Sequence, residues 1–155
     1  MNLNAPHLHL LVNHAPVFGT VFALLLLVGA LVSRSADVKR LVLAFTVLVG
    51  LTAVPAYFTG EPAEHAIARM EGVERRRIHE HEQAALFGLI SASVTGLVAL
   101  GALLASRGKE PARGAIVAVL VLDLWATSVF ARVSMLGGEI RHPEIRAASD
   151  TTAAP

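Results

Sequence analysis

Four apolar blocks, at residues 15–33, 41–59, 83–106 and 114–131, constrain this chain more than any other feature. Each is free or nearly free of charge, and about twenty helical residues rising 1.5 Å apiece span roughly the 30 Å of a bilayer core. Composition agrees: of 155 residues 54% are hydrophobic and 16% charged, and mean hydropathy is +0.60. The blocks lack the strict alternation of a barrel strand, and backbone in lipid has to satisfy its own hydrogen bonds. The chain is therefore expected to be all-α, an integral membrane four-helix bundle forming a single domain over residues 1–155, with a His/Glu-rich extramembrane face. The spacing predicts helices at about 15–33, 38–59, 74–106 and 112–136, an extramembrane loop at 60–82 and a tail at 137–155.

A cleaved signal peptide would open with basic residues and carry a shorter apolar core. The first Lys or Arg is Arg34, so the first block is expected to be a retained helix. There is no cysteine, which removes disulfides and thiolate metal sites. A net charge of +1 without a basic patch points to no nucleic-acid partner.

Short cytoplasmic loops favour Lys and Arg. The loop "RSADVKR" carries Arg34, Lys39 and Arg40, and the loop "RGKEPAR" carries Arg107, Lys109 and Arg113, each against one acid. An even number of helices puts both loops on one side, read as cytoplasmic, and both termini on the other. The "ERRR" run from Glu74 to Arg77 on the opposite side weakens that bias. All seven histidines (His7, His9, His14, His65, His79, His81 and His142) then fall on the side of the termini, with Glu61, Glu64, Glu71, Glu74, Glu80, Glu82, Glu139 and Glu144.

Within the bundle, close approach through small residues has to replace the hydrophobic drive that lipid does not supply. Gly88, Ala92 and Gly96 make such a stripe, as do Gly19 and Ala23. Pro55 removes an amide and frees the Leu51 carbonyl, which predicts a kink. Asp123 sits near the middle of its block. A charge there costs several kcal/mol, so the carboxyl has to be neutral or meet a polar partner. Thr95, and Ser91 beside it, reach similar depth. Asp123 with Thr95 is thus a polar site, either a proton or ion position or an interhelical hydrogen bond.

Between the second and third blocks, Glu61-Pro62 reads as a helix opening and Gly72 as its end. His79 with Glu82, and Ile78 with His81, can share faces of an extended third helix, and His81 looks toward the bundle through Ala85 and Gly88. Gly137-Gly138 is expected to end the last helix and fold the tail over the bundle mouth, bringing His142 in. The candidate ligand set is His14, His81 and His142, with Glu64 and Glu82 nearby, and His7 in reserve. His9 and His65 read as interface residues. Imidazole and carboxylate suit zinc, iron or copper, and two facing imidazoles suit a haem iron. No HExxH or CxxCH pattern occurs, and spacing does not choose among these metals.

The stretches "LHLLVNHAPVFGT", "YFTGEPAE", "HEQAAL" and "GGEIRHPEI" resemble small bacterial membrane proteins of the uncharacterised domain-of-unknown-function family 2231. The resemblance covers roughly residues 8–145, and in the first motif Ala15 separates the histidine from the proline. It implies emphasis on Asn13, His14 and Pro16, on Gly60, Glu61 and Glu64, on His81 and Glu82, and on Gly137, Gly138 and His142. No activity comes with the family.

Three functions remain open. The first is binding of haem b or a transition metal at the outer face, with electron transfer to a periplasmic carrier or quinone in a bacterial inner membrane. The second is a non-catalytic subunit or scaffold docking a periplasmic partner or joining a larger membrane complex, and homo-oligomers through the small-residue stripes are open too. The third is a small transporter using Asp123, which the lack of inverted repeats disfavours. Whether the chain is an enzyme is undecided, although no nucleophile elbow suggests a hydrolase.

Overall fold

The computed structural model describes residues 4–146, and these contain five helices and no strand. The helices are α1 (Ala5–Val32), α2 (Ala36–Phe58), α3 (Gly60–Ile67), α4 (Arg75–Ala105) and α5 (Arg113–Arg141), followed by a 3-10 turn at Pro143–Ile145. α3 follows α2 after Thr59 alone, so residues 36–67 act as one long span. That span, α1, α4 and α5 are each long and apolar enough to cross a membrane, and the chain is a multi-pass membrane protein.

Helix starts follow from local chemistry. Asn4 accepts a hydrogen bond from the His7 amide at 3.1 Å, with Pro6 in the first turn. α1 therefore begins at Ala5, ten residues before the apolar block. Ser35 caps α2 by accepting from the Val38 amide at 3.3 Å. Gly72, with φ of +79°, lets the chain turn between α3 and α4.

The four long helices form a ring in which α4 packs on α2 and α5, and α1 closes the ring against the same two. The upper end of the bundle is the one where α1 begins, and the basic loops lie at the lower end. Leu27, Val42, Leu43, Ala99, Ile116 and Val119 make a lower apolar cluster. Ala53, Ala84, Ala92, Phe130, Val133 and Leu136 make an upper one.

The small-residue stripe of α4 serves two neighbours. A Cβ on Gly50 of α2 would lie 2.8 Å from the Ala92 carbonyl oxygen and 3.1 Å from the Gly96 Cα, so α2 and α4 cross backbone against backbone. Gly88 instead receives the Phe130 ring of α5, 3.1 Å from where its Cβ would be.

The end of the last helix departs from expectation. α5 does not stop before Gly137-Gly138 but runs to Arg141, because these glycines answer close approach: His81 seats on Gly137 and Ile145 on Gly138. α2 runs through Pro55 to Phe58, in line with the expected helix at 38–59, and the Thr59 hydroxyl donates to the Pro55 carbonyl at 2.8 Å.

Candidate functional site

At the upper end two imidazoles turn into the bundle. On α1 a single face carries His9, Asn13, Pro16, Thr20, Ala23, Leu27 and Ala30. His9 Nδ1 lies 3.1 Å from Thr59 Oγ1. That hydroxyl directs its one proton to the Pro55 or Ala56 carbonyl, so the imidazole donates from Nδ1 and keeps its lone pair on Nε2. His9 also lies against Gly60, whose Cβ would stand 3.7 Å from Cε1.

His81 Nδ1 lies 3.1 Å from the Val133 carbonyl oxygen. A carbonyl only accepts, so Nδ1 carries the proton here too, and Nε2 is left with its lone pair. The ring rests on the α5 backbone at Gly137, whose Cβ would come within 3.0 Å of Cε1. His9 and His81 are near enough for charges on the two rings to repel each other. Beside them Arg77 and Glu139 form a buried ion pair at 2.6 Å. Arg146 then ties the tail to the start of α4, reaching Glu74 at 2.6 Å and the Glu139 carbonyl at 3.0 Å.

A second polar feature lies beside α3. A groove of about 530 Å³ is lined by Glu64, His65, Arg69, Arg75, His79 and Glu82, with Ala68 and Ile78. Glu64 is within electrostatic range of Glu82, Glu61, His65 and His79, and His79 Nδ1 is 3.6 Å from Glu82.

The structure does not bring His14, His81 and His142 together. His14 is out of phase with the inward face of α1. It is exposed, stacks on Phe18 at 5.9 Å, and turns Nδ1 back to the Leu10 carbonyl. His142 is exposed and meets Glu144 at 2.9 Å. The Glu144 carboxylate is held below its ordinary range, first by its own backbone amide and then by His142. Of the five expected side chains, Glu64 and Glu82 share the groove and His81 alone turns into the bundle. Among the described residues no three His, Asp or Glu side chains are arranged to hold a metal ion.

Asp123 and Thr95 are both buried, but no hydrogen bond joins them: the Thr95 hydroxyl donates to Ser91 in its own helix at 2.8 Å. Asp123 Oδ2 has no hydrogen-bond partner among the described residues.

His9 is not the interface residue expected from the sequence, and Thr127 and the Arg77–Glu139 pair are absent from the sequence candidates. For His9 a signal was present. His9, Pro16, Ala23 and Ala30 recur every seven residues, a period that selects the inward face of a bundled helix and excludes His14.

No family model, curated protein or solved structure matches the chain.

Proposed function

We propose that the protein binds a transition-metal ion or the iron of a b-type haem at the upper end of the bundle, through Nε2 of His81 and His9, and serves in electron transfer. The observation that carries this reading is the His81 Nδ1–H bond to the Val133 carbonyl. Metal-ligating histidines almost always donate their other ring nitrogen to a fixed acceptor, which sets the tautomer and orients the ligand. His9 has the same arrangement toward Thr59.

The donor set fits. Two imidazoles without thiolates suit copper, iron or nickel over magnesium or calcium, and a bis-imidazole pair suits haem iron. Such a group, when bound, would supply reversible one-electron chemistry. The chain's part is to hold the ligands: Val133 and Thr59 fix the rings, and Gly137 and Gly60 let them lie close to backbone. The buried Arg77–Glu139 pair keeps α4 and α5 in register behind them.

In this reading the basic lower loops face the cytoplasm, the membrane is a bacterial inner membrane, and the site opens to a periplasmic redox carrier. A second reading has its own support. The charged groove between α3 and α4 suits docking of a soluble periplasmic protein, with the bundle as a non-catalytic subunit.

The test is a reduced-minus-oxidised visible spectrum with metal analysis of purified protein expressed with ample haem and metals. An α-band or stoichiometric metal that is lost in His81→Ala and His9→Ala, and kept in His14→Ala, is expected. A colourless, metal-free protein overturns the first reading. Charge reversal at Arg69 and Arg75 then tests the second, which requires loss of a co-purifying partner.

A further inference from the structure

Midway through the bundle each long helix buries one polar side chain: Thr20 of α1, Thr46 of α2, Thr95 of α4 and Asp123 of α5, all at most 3% exposed. Their level follows from the contacts that fix helix register, Gly19 on Val49, Gly50 on Gly96 and Gly88 on Phe130. These place Asp123 level with Thr95 and within about a turn of Thr20 and Thr46. The three threonine hydroxyls donate to carbonyls of their own helices, Val17, Val42 and Ser91. They have no proton left for Asp123, and can only accept one from it.

Among the described residues three buried side-chain oxygens then lack partners: Asp123 Oδ2, Thr127 Oγ1 and Asn13 Oδ1. They are not scattered. Thr127 is four residues from Asp123 on the same helix, one turn nearer the upper end. Trp125 donates to Ser91 of α4 at 3.2 Å, so the α4-facing edge of α5 lies away from Thr127, and Thr127 falls toward α1. Gly19 seats on α2, which turns Asn13 toward α5, at the level of Thr127. One turn farther up the same face stands His9. Pro16 has no amide proton, so the Val12 carbonyl has lost its helical donor at this same level. Below Asp123 the path closes on the apolar cluster of Leu27, Leu43, Ile116 and Val119.

We infer that Asp123 is a proton-exchange site, joined to the upper end of the bundle by water held between Thr127 and Asn13 and closed toward the lower end. Buried oxygens without protein partners take ordered water; Asp123 and Thr127 are one helical turn apart, a gap one water can bridge, and Asn13 faces Thr127 from the neighbouring helix. Among the described residues no cation faces the carboxyl: Thr20, Thr46 and Thr95 oppose it from the other three helices. His14 and Arg132 are nearer in height but exposed on the outer surface, and the nearest ionisable groups that turn inward are His9 and His81 above, and Lys39 with Glu110 below. At rest the carboxyl carries its proton, because the anion would stand unpaired in the membrane core. Exchange moves that proton from the carboxyl to the adjoining water and returns one from the upper end, with no change of electrons. This inference does not depend on a metal or haem.

The experiment is infrared spectroscopy of the full chain in lipid nanodiscs, following the carboxylic-acid C=O band after transfer to D2O. A protonated-carboxyl band that disappears in Asp123→Asn and shifts rapidly in D2O is expected. Thr127→Val and Asn13→Leu should each slow that shift about tenfold, the scale of one lost hydrogen-bonded link, while Ser128→Ala, which removes an exposed hydroxyl bonded to the Leu124 carbonyl of its own helix, leaves it unchanged. The inference is overturned by an absent Asp123 band, by a band that does not exchange, or by equal rates in all the variants. Thr127→Val preserves shape, so it reads the path even where Asn13→Leu disturbs folding.

Discussion

The Arg77 guanidinium lies 2.6 Å from the Glu139 carboxylate, with both side chains buried where α4 begins and α5 ends. Sixty-two residues separate them in sequence. Removing Glu139 takes from Arg77 the nearer and buried of its carboxylates and leaves Glu80 at 3.6 Å. Glu139→Ala is therefore expected to lower unfolding stability in detergent by about 3 kcal/mol, the low end for a broken buried pair, and Arg77→Met with Glu139→Leu to restore most of it. Denaturation of the three proteins side by side checks this, and equal stability of the single and double variants would show that the pair holds nothing.

Gly50→Ala should cost about 1–3 kcal/mol. Its methyl would stand 2.8 Å from a backbone oxygen of α4, and a helix backbone cannot step aside as a side chain can. Gly29→Ala meets nothing within 4 Å and is expected to stay within about 0.5 kcal/mol of the parent. A matched pair of thermal melts in one lipid mimic decides it.

Gly137→Ala probes the proposed ligand directly. The new methyl would press on the His81 ring at 3.0 Å and push Nδ1 off the Val133 carbonyl. Metal or haem affinity should fall about 10–100-fold, the usual effect of losing a ligand's supporting hydrogen bond. Titration of the folded variant with metal or haem measures it, and unchanged affinity would sink the assignment of His81.

The tail should respond to acid. Glu144 has a lowered pKa in the folded chain, so its contribution to the turn at Pro143–Ile145 is present above the ordinary glutamate range and is lost as pH falls through the lowered value. His142→Ala should raise the Glu144 pKa only part of the way, because the larger cause is its own backbone amide. Carboxyl NMR titration of both proteins reads the difference. A full return to the ordinary value would place the whole effect on the imidazole.

The architecture was legible in the sequence because membrane spans announce themselves by length and apolarity, and Asp123 stood out as the one acid inside the four apolar blocks. The site was less so. Reading the first helix from the edge of its apolar block hid the Asn4 cap and made His14 look like a ligand. Helical phase, set by His9, Pro16, Ala23 and Ala30, turns His9 inward instead. Glycines at 137 and 138 looked like a stop, since a pair of glycines weakens a helix; what they answer is an imidazole ring and the Ile145 side chain, which no local pattern reveals. Thr127 and Asn13 are ordinary residues until neighbouring helices bury them and leave their oxygens without partners.

The crossing at Gly50 and Gly96 gives the bundle a fulcrum. With only backbone in contact there, no rotamer change can widen or narrow the gap between α2 and α4. Displacement of one helix against the other has to appear as tilt about that point, with opposite senses above and below. The upper ends, where Thr59 meets His9, and the lower ends, where Lys39 meets Glu110, are thereby coupled as the two arms of a lever.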